Sequence, residues 1–223
     1  MLTASLFFAL TIIAYLLGCL NASFYLARWA AKVDIREFGS GNAGSRNLLR
    51  SLGRGYAISA FVWDAAKAFF AVYGAIRLYH PMAPMALSYL PLVCLCAVVA
   101  GHIWPIQLGW RGGKGLACLI GGLGAFDPLL LGFCLLLCLV IIIICWLGFA
   151  WRQFDAAVYL SVLLVPLVFP IYRIVYAHSS FQELLIEDFL LMGVSAIVLY
   201  AHRKNIRDLY AGSDVIQSVG TEK

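Results

Sequence analysis

Long apolar runs separated by short polar stretches dominate the chain. Runs of spanning or near-spanning length lie at about 3–27, 56–79, 85–106, 128–149, 157–176 and 186–201, with a shorter one at about 115–126. A hydrocarbon core about 30 Å thick needs about 20 residues of α-helix, so each of the first six runs approaches one crossing. The pattern predicts an all-α integral membrane protein.

The short run Gly115–Phe126 contains four glycines and, at about 1.5 Å per residue, covers only about 18 Å. If it crosses nevertheless, 13 of the 16 basic residues lie on one side, all except Lys67, Arg77 and Arg173. Because Lys and Arg are enriched in cytoplasmic loops, the charge pattern favours seven transmembrane helices, with the N-terminus outside and the C-terminus cytoplasmic. We expect one membrane-embedded domain over residues 1–223, whose first run is a retained helix without a cleavage signal.

The amino-acid composition indicates the environment of the chain and excludes some classes of ligand. With 63% apolar and 12% charged residues, most of the chain is expected to face lipid or other helices. The net charge of +5 comes from residues placed between apolar runs and not on one basic face, so no nucleic-acid partner is expected. The seven cysteines lie almost all in apolar stretches without the partners of a metal site, so no metal or cofactor is expected.

The first polar loop, Phe38–Arg50, reads FGSGNAGSRNLLR. Its glycines allow tight turns that can aim backbone N–H groups at an anion. Arginine adds a fork that grips phosphate in bidentate fashion. The candidate ligands here are Ser40, Gly41, Asn42, Arg46, Asn47 and Arg50. An ordinary Gly-rich turn with arginines placed by membrane topology is the alternative.

The second polar loop, Gly101–Gly115, reads GHIWPIQLGWRGGKG and opens the short run. A Gly-Gly-Lys-Gly turn at a helix start brings backbone donors, a positive dipole end and an ammonium to one point. It lacks the glycine spacing and the Ser or Thr of a Walker A loop, which favours a smaller phosphate ester or an acyl phosphate. The candidates are His102, Gly112, Gly113, Lys114 and Gly115, although His102 can instead satisfy a backbone carbonyl.

Two further groups of polar residues stand out. His202 and Asn205 follow the last run three residues apart, so on a helix they share a face. A histidine that deprotonates a hydroxyl and an asparagine that stabilises a carbonyl oxygen suit acyl transfer, whereas a basic stop-transfer tail would explain only the neighbouring arginines. Asp64 and Lys67, at i and i+3 inside the second run, are expected to form a structural ion pair.

Together these two loops and the segment His202–Asp214 resemble the bacterial acyl-phosphate:glycerol-3-phosphate acyltransferases, whose motifs run roughly GSGNPGATNVLR, GHxxPxFxxFKGGKG and HRxNIxRLxxGxE. The resemblance spans nearly the whole chain and includes the Asp-x-x-Lys of the second run. It implies seven helices and transfer of an acyl group from acyl phosphate to the 1-hydroxyl of glycerol 3-phosphate, giving lysophosphatidic acid. We therefore expect a monomer in the bacterial inner membrane whose site faces the cytoplasm and whose partners are these two substrates and the bilayer.

By this resemblance Ser40 and Arg50 are critical to activity, Lys114 and its glycines hold the phosphate of glycerol 3-phosphate, and His202 and Asn205 serve the reaction centre. Asp214 stands where the family has a structural glutamate. Departures from the motifs are Ala43 for Pro, Ser45-Arg46 for Ala-Thr, Arg111 for Lys, Cys118 near a Thr, and Trp151–Asp155 for a Ser-rich turn. Because of them, a paralogue with altered substrate or weakened catalysis is one alternative. A second is a non-catalytic transporter or binding protein for phosphate esters or lipids, which would use the same basic loops to bind phosphate without chemistry.

Overall fold

The computed structural model describes residues 2–79, 89–147, 154–176 and 181–208. Within these ranges the chain is helical and contains no β-strand, which confirms the all-α prediction. The α-helices are α1 (Leu2–Cys19), α2 (Ala22–Ala31), α3 (Ser45–Leu52), α4 (Arg54–Tyr79), α5 (Leu90–Ile103), α6 (Leu116–Phe126), α7 (Pro128–Leu147), α8 (Phe154–Tyr176) and α9 (Phe181–Ala201). After a turn at His202 the helix resumes over residues 203–208.

Three segments of the described chain are long and apolar enough to cross a bilayer: Ala4–Ala31, Leu90–Leu108 and Ala156–Val175. Helix α4 has 26 residues, about 39 Å at 1.5 Å per residue, and carries Asp64 and Lys67 in its middle. The apolar part of α7, Pro128–Ile144, is shorter. The 11 residues of α6 are about 16 Å long, so α6 alone covers only about half of a hydrocarbon core.

The first apolar run is not one helix over residues 3–27, as its pattern predicts, but breaks between α1 and α2. The break lies at Asn21, whose Oδ1 accepts the Phe24 N–H (2.9 Å) as the cap of α2. The Asn21 Nδ2 donates to the carbonyl of Ala43 in the first loop (2.9 Å). A buried amide that bonds to the backbone in this way competes with a continuous helix. The break therefore fastens the first loop to the bundle.

The main apolar core lies between α1, α4, α5 and α6, with further side chains from α7, α8 and α9. Its largest fully buried side chains include Leu90, Leu95, Leu130, Phe169 and Leu191. Helix α6 lies directly on α4, since a Cβ at Gly121 would be 2.0 Å from the carbonyl oxygen of Ala65. Only glycine permits this approach, which places the middle of α6 beside the middle of α4.

Large apolar side chains also cover the outside of the bundle. Ile12, Phe70, Leu136, Leu167 and Phe189 are each more than half exposed. Soluble monomers rarely show contiguous apolar surfaces beyond a few hundred Å². Such an outer surface is suited to lipid and agrees with an integral membrane protein.

A second, smaller apolar cluster lies under the first polar loop. It contains Ala27 of α2, Ile35, Ala43, Leu48 of α3 and Ala60 of α4, all buried. The loop that the sequence presents as a glycine-rich turn is therefore anchored by its own packed core. This anchoring fixes where its polar side chains lie.

Candidate active site

A cavity of about 260 Å³ lies at the end of the bundle where α5 and α9 end and α6 and α8 begin. The three polar segments singled out by sequence meet there. The first loop and α3 contribute Ser40, Asn42, Arg46, Asn47 and Arg50; the second loop and its neighbours contribute Asp64, His102, Lys114 and Gly115; the end of α9 contributes His202 and Asn205. Residues about 160 positions apart in the chain thus line one space.

A hydrogen-bonded group joins the second loop to the end of α9. Lys114 Nζ donates to Asn205 Oδ1 at 2.5 Å, and Asn205 Nδ2 donates to the hydroxyl of Tyr159 at 3.3 Å. The Tyr159 ring lies 4.9 Å from the His202 ring, centroid to centroid. Asn205 and Tyr159 therefore connect the Lys114 ammonium to the neighbourhood of the imidazole. Tyr159 was missed by sequence reasoning because it sits in an apolar run.

The orientation of His202 determines which of its nitrogens is basic. Nδ1 lies 2.8 Å from the backbone carbonyl of Val198, one turn earlier on α9. A carbonyl can only accept, so Nδ1 carries a proton and donates it to this bond. In the neutral ring the unprotonated nitrogen is then Nε2. The side chain is buried at 7% exposure, so the ring is held in one position by its surroundings.

Asn47 organises the first loop from within. Its Oδ1 accepts the Ser40 N–H (3.0 Å), and the two N–H groups of its Nδ2 are shared among the carbonyls of Ile35 (2.9 Å), Phe38 (2.9 Å) and Asn42 (3.0 Å). The residue is only 2% exposed. Its amide is thus occupied by backbone groups, and it shapes the first loop around Ser40 and Asn42.

Asn47→Asp should reduce activity at least as strongly as Asn47→Ala, about tenfold or more, although aspartate is nearly isosteric. The carboxylate cannot donate to three carbonyl oxygens and leaves them facing a negative charge, a cost of about 1–3 kcal/mol or more. The measurement is initial velocity together with thermal unfolding of the two purified variants. If the aspartate variant keeps wild-type velocity, Asn47 does not organise the loop through donation.

The backbone N–H groups of the Gly112-Gly113 turn have different partners from those that the sequence predicts. Both N–H groups donate to the end of α5, Gly112 to the carbonyl of Ile103 (3.0 Å) and Gly113 to that of His102 (2.9 Å). The last carbonyls of a helix lack intrahelical donors, and the turn supplies them. A Cβ at Gly113 would lie 2.0 Å from Nε2 of His102. These glycines therefore press the turn onto α5 and present Lys114, and their N–H groups do not face an anion.

An arginine that sequence reasoning missed joins the first loop to the second. Arg36 pairs with Asp34 (2.7 Å) and donates to the carbonyls of Leu108 (2.5 Å) and Arg111 (3.2 Å). The hydrogen bond from Arg36 lowers the pKa of the Asp34 carboxyl below its ordinary value, so the pair stays charged at neutral pH. The only signal in the sequence is the Asp-x-Arg spacing ahead of the loop.

The predicted ion pair between Asp64 and Lys67 is present and buried, with Nζ 2.7 Å from the carboxylate. The same ammonium donates to the carbonyls of Gly18 and Leu20 (2.9 Å each) and lies 3.1 Å from Nδ1 of His102. It thereby satisfies carbonyls at the end of α1 that have no intrahelical donor. Lys67 links α1, α4 and α5 beneath the cavity.

Within the described ranges, one group of side chains lies close enough to hold a metal ion. Its members are Asp64, His102 and Cys118, all buried, with ligand atoms within 4.8 Å of one another. The Lys67 ammonium already lies against the first two. A metal ion would therefore have to displace a hydrogen-bonded cation.

Some predicted site residues do not line the cavity. Gly41, Gly112, Gly113 and Lys67 lie outside its lining, and Asp214 lies outside the described residues. Residues 151–153, which belong to the stretch that differs from the family motifs, also lie outside the described residues. His102 reaches the cavity but is 3% exposed and bonded within the protein, in line with the alternative of a histidine in a structural role.

The fold and the cavity define an all-helical integral membrane protein with a cationic site suited to a phosphate-bearing ligand. Residues 8–212 match the family model described as Glycerol-3-phosphate acyltransferase. The chain belongs to this family, as the motif resemblance indicated.

The similarity to individual relatives and to solved structures leads to the same family. The chain is 35% identical to Glycerol-3-phosphate acyltransferase of Clostridioides difficile (strain 630) over 217 residues, 96% of each chain. It is 37% identical to the protein of the same name from Nitrobacter winogradskyi over 202 residues, 90% of each. The crystal structures of PlsY (YgiH), an integral membrane glycerol 3-phosphate acyltransferase, match over 92% of both chains. The glycerol 3-phosphate form has a TM-score of 0.74 at 29% identity, and the lysophosphatidic acid form 0.72 at 27%.

Proposed function

We propose that the protein transfers an acyl group from an acyl phosphate to the 1-hydroxyl of glycerol 3-phosphate, giving lysophosphatidic acid and inorganic phosphate. This is the first step of phospholipid synthesis. The observation that carries the proposal is the meeting of the cations Lys114 and Arg50 with His202 and Asn205 around one cavity. The names of the relatives and the two ligand forms of the structural neighbour support the same substrate and product.

In the proposed reaction, the hydroxyl oxygen attacks the acyl carbon while the bond from that carbon to the phosphate oxygen breaks. His202 Nε2 accepts the hydroxyl proton, and inorganic phosphate leaves and takes the proton back. An acyl phosphate is already activated, so the step needs no covalent enzyme intermediate, metal or cofactor. Holding both reactants against one base supplies much of the catalysis.

Binding and charge stabilisation are assigned to the other lining residues. Lys114 binds the phosphate of glycerol 3-phosphate, with Ser40, Asn42 and Gly115 beside it. Asn205 uses one amide proton for Tyr159, and its second is available to the carbonyl oxygen, where negative charge develops. Arg50 contributes a guanidinium from α3.

The remaining predicted residues hold this arrangement in place. Asp64, Lys67 and His102 form the buried network under the cavity, and Asn47 and Gly41 shape the first loop. Gly112 and Gly113 seat the turn that carries Lys114. Asp214 is assigned a structural role from the motif alone.

The topology we propose has seven crossings, with the N-terminus outside the cell and the cavity at the cytoplasmic face of the bacterial inner membrane. The support is the distribution of basic residues, since Arg46, Arg50, Arg111, Lys114 and Arg203 all lie at the cavity end of the bundle and Lys and Arg favour the cytoplasmic side. The chain acts as one membrane-embedded domain and as a monomer, since the described residues of one copy supply every group used in the reaction.

The decisive experiment uses purified protein in a lipid mesophase with palmitoyl phosphate and labelled glycerol 3-phosphate, and measures labelled lysophosphatidic acid. We expect turnover with palmitoyl phosphate and none with palmitoyl coenzyme A as donor. Turnover with the thioester alone would refute the acyl-phosphate donor. No product from folded protein would favour a binding or transport protein.

A further inference from the structure

A stripe of aromatic and basic side chains runs along the outer side of α2. Tyr25, Arg28 and Trp29 are spaced i, i+3 and i+4, so they share one side of the helix. Lys32 follows directly at the end of α2. All four residues are exposed, and Trp29 is exposed to 71%. The other side of α2 is buried in the small apolar cluster under the first loop, so the stripe faces away from the protein.

The tip of the second loop, residues 106–111, lies against α2 and extends this outer surface. Gln107 Nε2 donates to the hydroxyl of Tyr25 at 3.4 Å. Arg36, which donates to two backbone carbonyls of the tip, also has its guanidinium carbon 5.0 Å from the centre of the Phe24 ring. These contacts join α2 and the tip into one surface, which we call the α2–tip face.

The backbone of the tip holds Trp110 outward. Its φ angle is +61°, in the left-handed region that bulky residues rarely adopt. The Trp110 N–H donates to the carbonyl of Pro105 (3.1 Å), and the Gly112 N–H donates to that of Ile103 (3.0 Å), so the turn is fixed on both sides. The residue is nevertheless 56% exposed. A backbone conformation of this kind persists only where the surrounding structure imposes it, and here it presents an indole to the surroundings of the bundle.

The α2–tip face lies at the end of the bundle that carries the cavity. Ala27 of α2 and Ala60 of α4 belong to the same apolar cluster, and Ala60 is six residues, about 9 Å of helix, from the start of α4. The tip follows the end of α5 at Ile103. In a membrane protein this is the level of the lipid headgroups, where amphipathic aromatic rings are enriched.

Cationic groups outnumber carboxylates on this face. The cations are Arg28, Lys32, Arg36 and Arg111, and the carboxylates are Asp34 and Glu37. Asp34 is already paired with Arg36 at 2.7 Å. Lys32 and Arg111 form no ion pair with residues that the structure describes. Basic side chains beside exposed aromatic rings suit a membrane surface of negative charge, since each cation near the surface adds to the attraction.

We propose that the α2–tip face binds the headgroups of anionic phospholipids in the adjoining leaflet. Arg28 and Lys32 contact headgroup phosphates, while the rings of Trp29 and Trp110 lie between the headgroups and the acyl chains. No residue of the stripe or the tip lines the cavity, so the inference does not rest on the proposed reaction. Along the chain, the lipid-binding tip leads directly into the turn that presents Lys114.

The test measures lipid binding to purified, delipidated protein in a neutral detergent by native mass spectrometry. The probes are phosphatidylglycerol and phosphatidylcholine with the same acyl chains, one anionic and one without net charge. Wild type is compared with the double variant Arg28→Gln/Lys32→Gln. The matched control is Lys204→Gln/Arg207→Gln, which removes two charges from exposed residues after α9 that do not line the cavity. Thermal unfolding checks that each variant is folded.

For wild type we expect phosphatidylglycerol to bind at least about tenfold more tightly than phosphatidylcholine, and this preference should fall as salt is added. The Arg28→Gln/Lys32→Gln variant should lose about tenfold in phosphatidylglycerol affinity, whereas the control should change less than about twofold. Equal binding of the two lipids by wild type, or equal losses in the two double variants, overturns the inference. An unchanged preference in Arg28→Gln/Lys32→Gln also overturns it and leaves a soluble acidic protein as the partner that suits these cations.

Discussion

Replacing His202 with alanine should reduce turnover at least about 100-fold while the protein still folds. General base catalysis by a positioned side chain contributes about 10²–10⁴ in rate. The backbone contact of Nδ1 with Val198 leaves Nε2 as the basic nitrogen for the proposed proton transfer. The measurement is kcat for lysophosphatidic acid formation at saturating concentrations of both substrates, with thermal unfolding as the check on folding.

His202→Asn is the informative partner variant. An asparagine amide can donate to the Val198 carbonyl in place of Nδ1, so the local helix end is preserved, but it has no basic nitrogen. We expect Asn to be as inactive as Ala and more stable. If His202→Asn keeps more than about a tenth of wild-type kcat, the histidine only orients its neighbours and the proton is taken by a substrate phosphate.

Lys114→Ala should lower kcat/KM for glycerol 3-phosphate at least about 100-fold, mainly by raising KM. Hydrogen bonds to charged groups are worth about 1.5–3 kcal/mol, and the variant also leaves Asn205 Oδ1 without the donor that orients it. In the proposed reaction the loss combines weaker binding of the glycerol 3-phosphate phosphate with a less ordered Asn205 amide. Steady-state kinetics with glycerol 3-phosphate varied at a fixed, saturating donor concentration measures it.

Lys204→Ala is the matched control for Lys114, because Lys204 is exposed, lies two residues from His202 and does not line the cavity. It should behave like wild type. Equal losses in both variants would mean that bulk positive charge, and not the position of Lys114, binds the substrate. Lys114→Arg is expected to recover part of the affinity, since it keeps the charge but changes the reach to Asn205.

The sequence predicted the helical class well because lipid imposes a strong constraint. A chain that exposes apolar side chains over long runs must satisfy its backbone hydrogen bonds within each segment, which leaves helices as the simple solution. The prediction failed at Asn21, where a single amide in an apolar run breaks α1 from α2. An average of hydropathy over the run hides a single polar residue. The cap formed with Phe24 is local, but the hydrogen bond from Asn21 to Ala43 depends on a loop 22 positions away.

The sequence also predicted which residues line the site, but it did not predict which contacts each of them makes. The motifs named Lys114, His202 and Asn205, and the structure places all three at one cavity. The glycines beside Lys114 looked like anion-binding donors, yet their N–H groups satisfy the end of α5. Which partner a backbone N–H finds depends on what packs against it.

Periodicity and motif chemistry by themselves predicted a helical membrane protein with two phosphate-suited loops and a histidine–asparagine pair suited to acyl transfer, because both properties are local in the chain. Only the tertiary structure decided that Tyr159 joins the site, that Arg36 ties two loops together, and that Lys67 bonds to α1, α4 and α5. These contacts link residues up to 75 positions apart. Contacts of that kind follow from helix packing and from the need to satisfy buried polar groups, and neither leaves a periodic trace in the sequence.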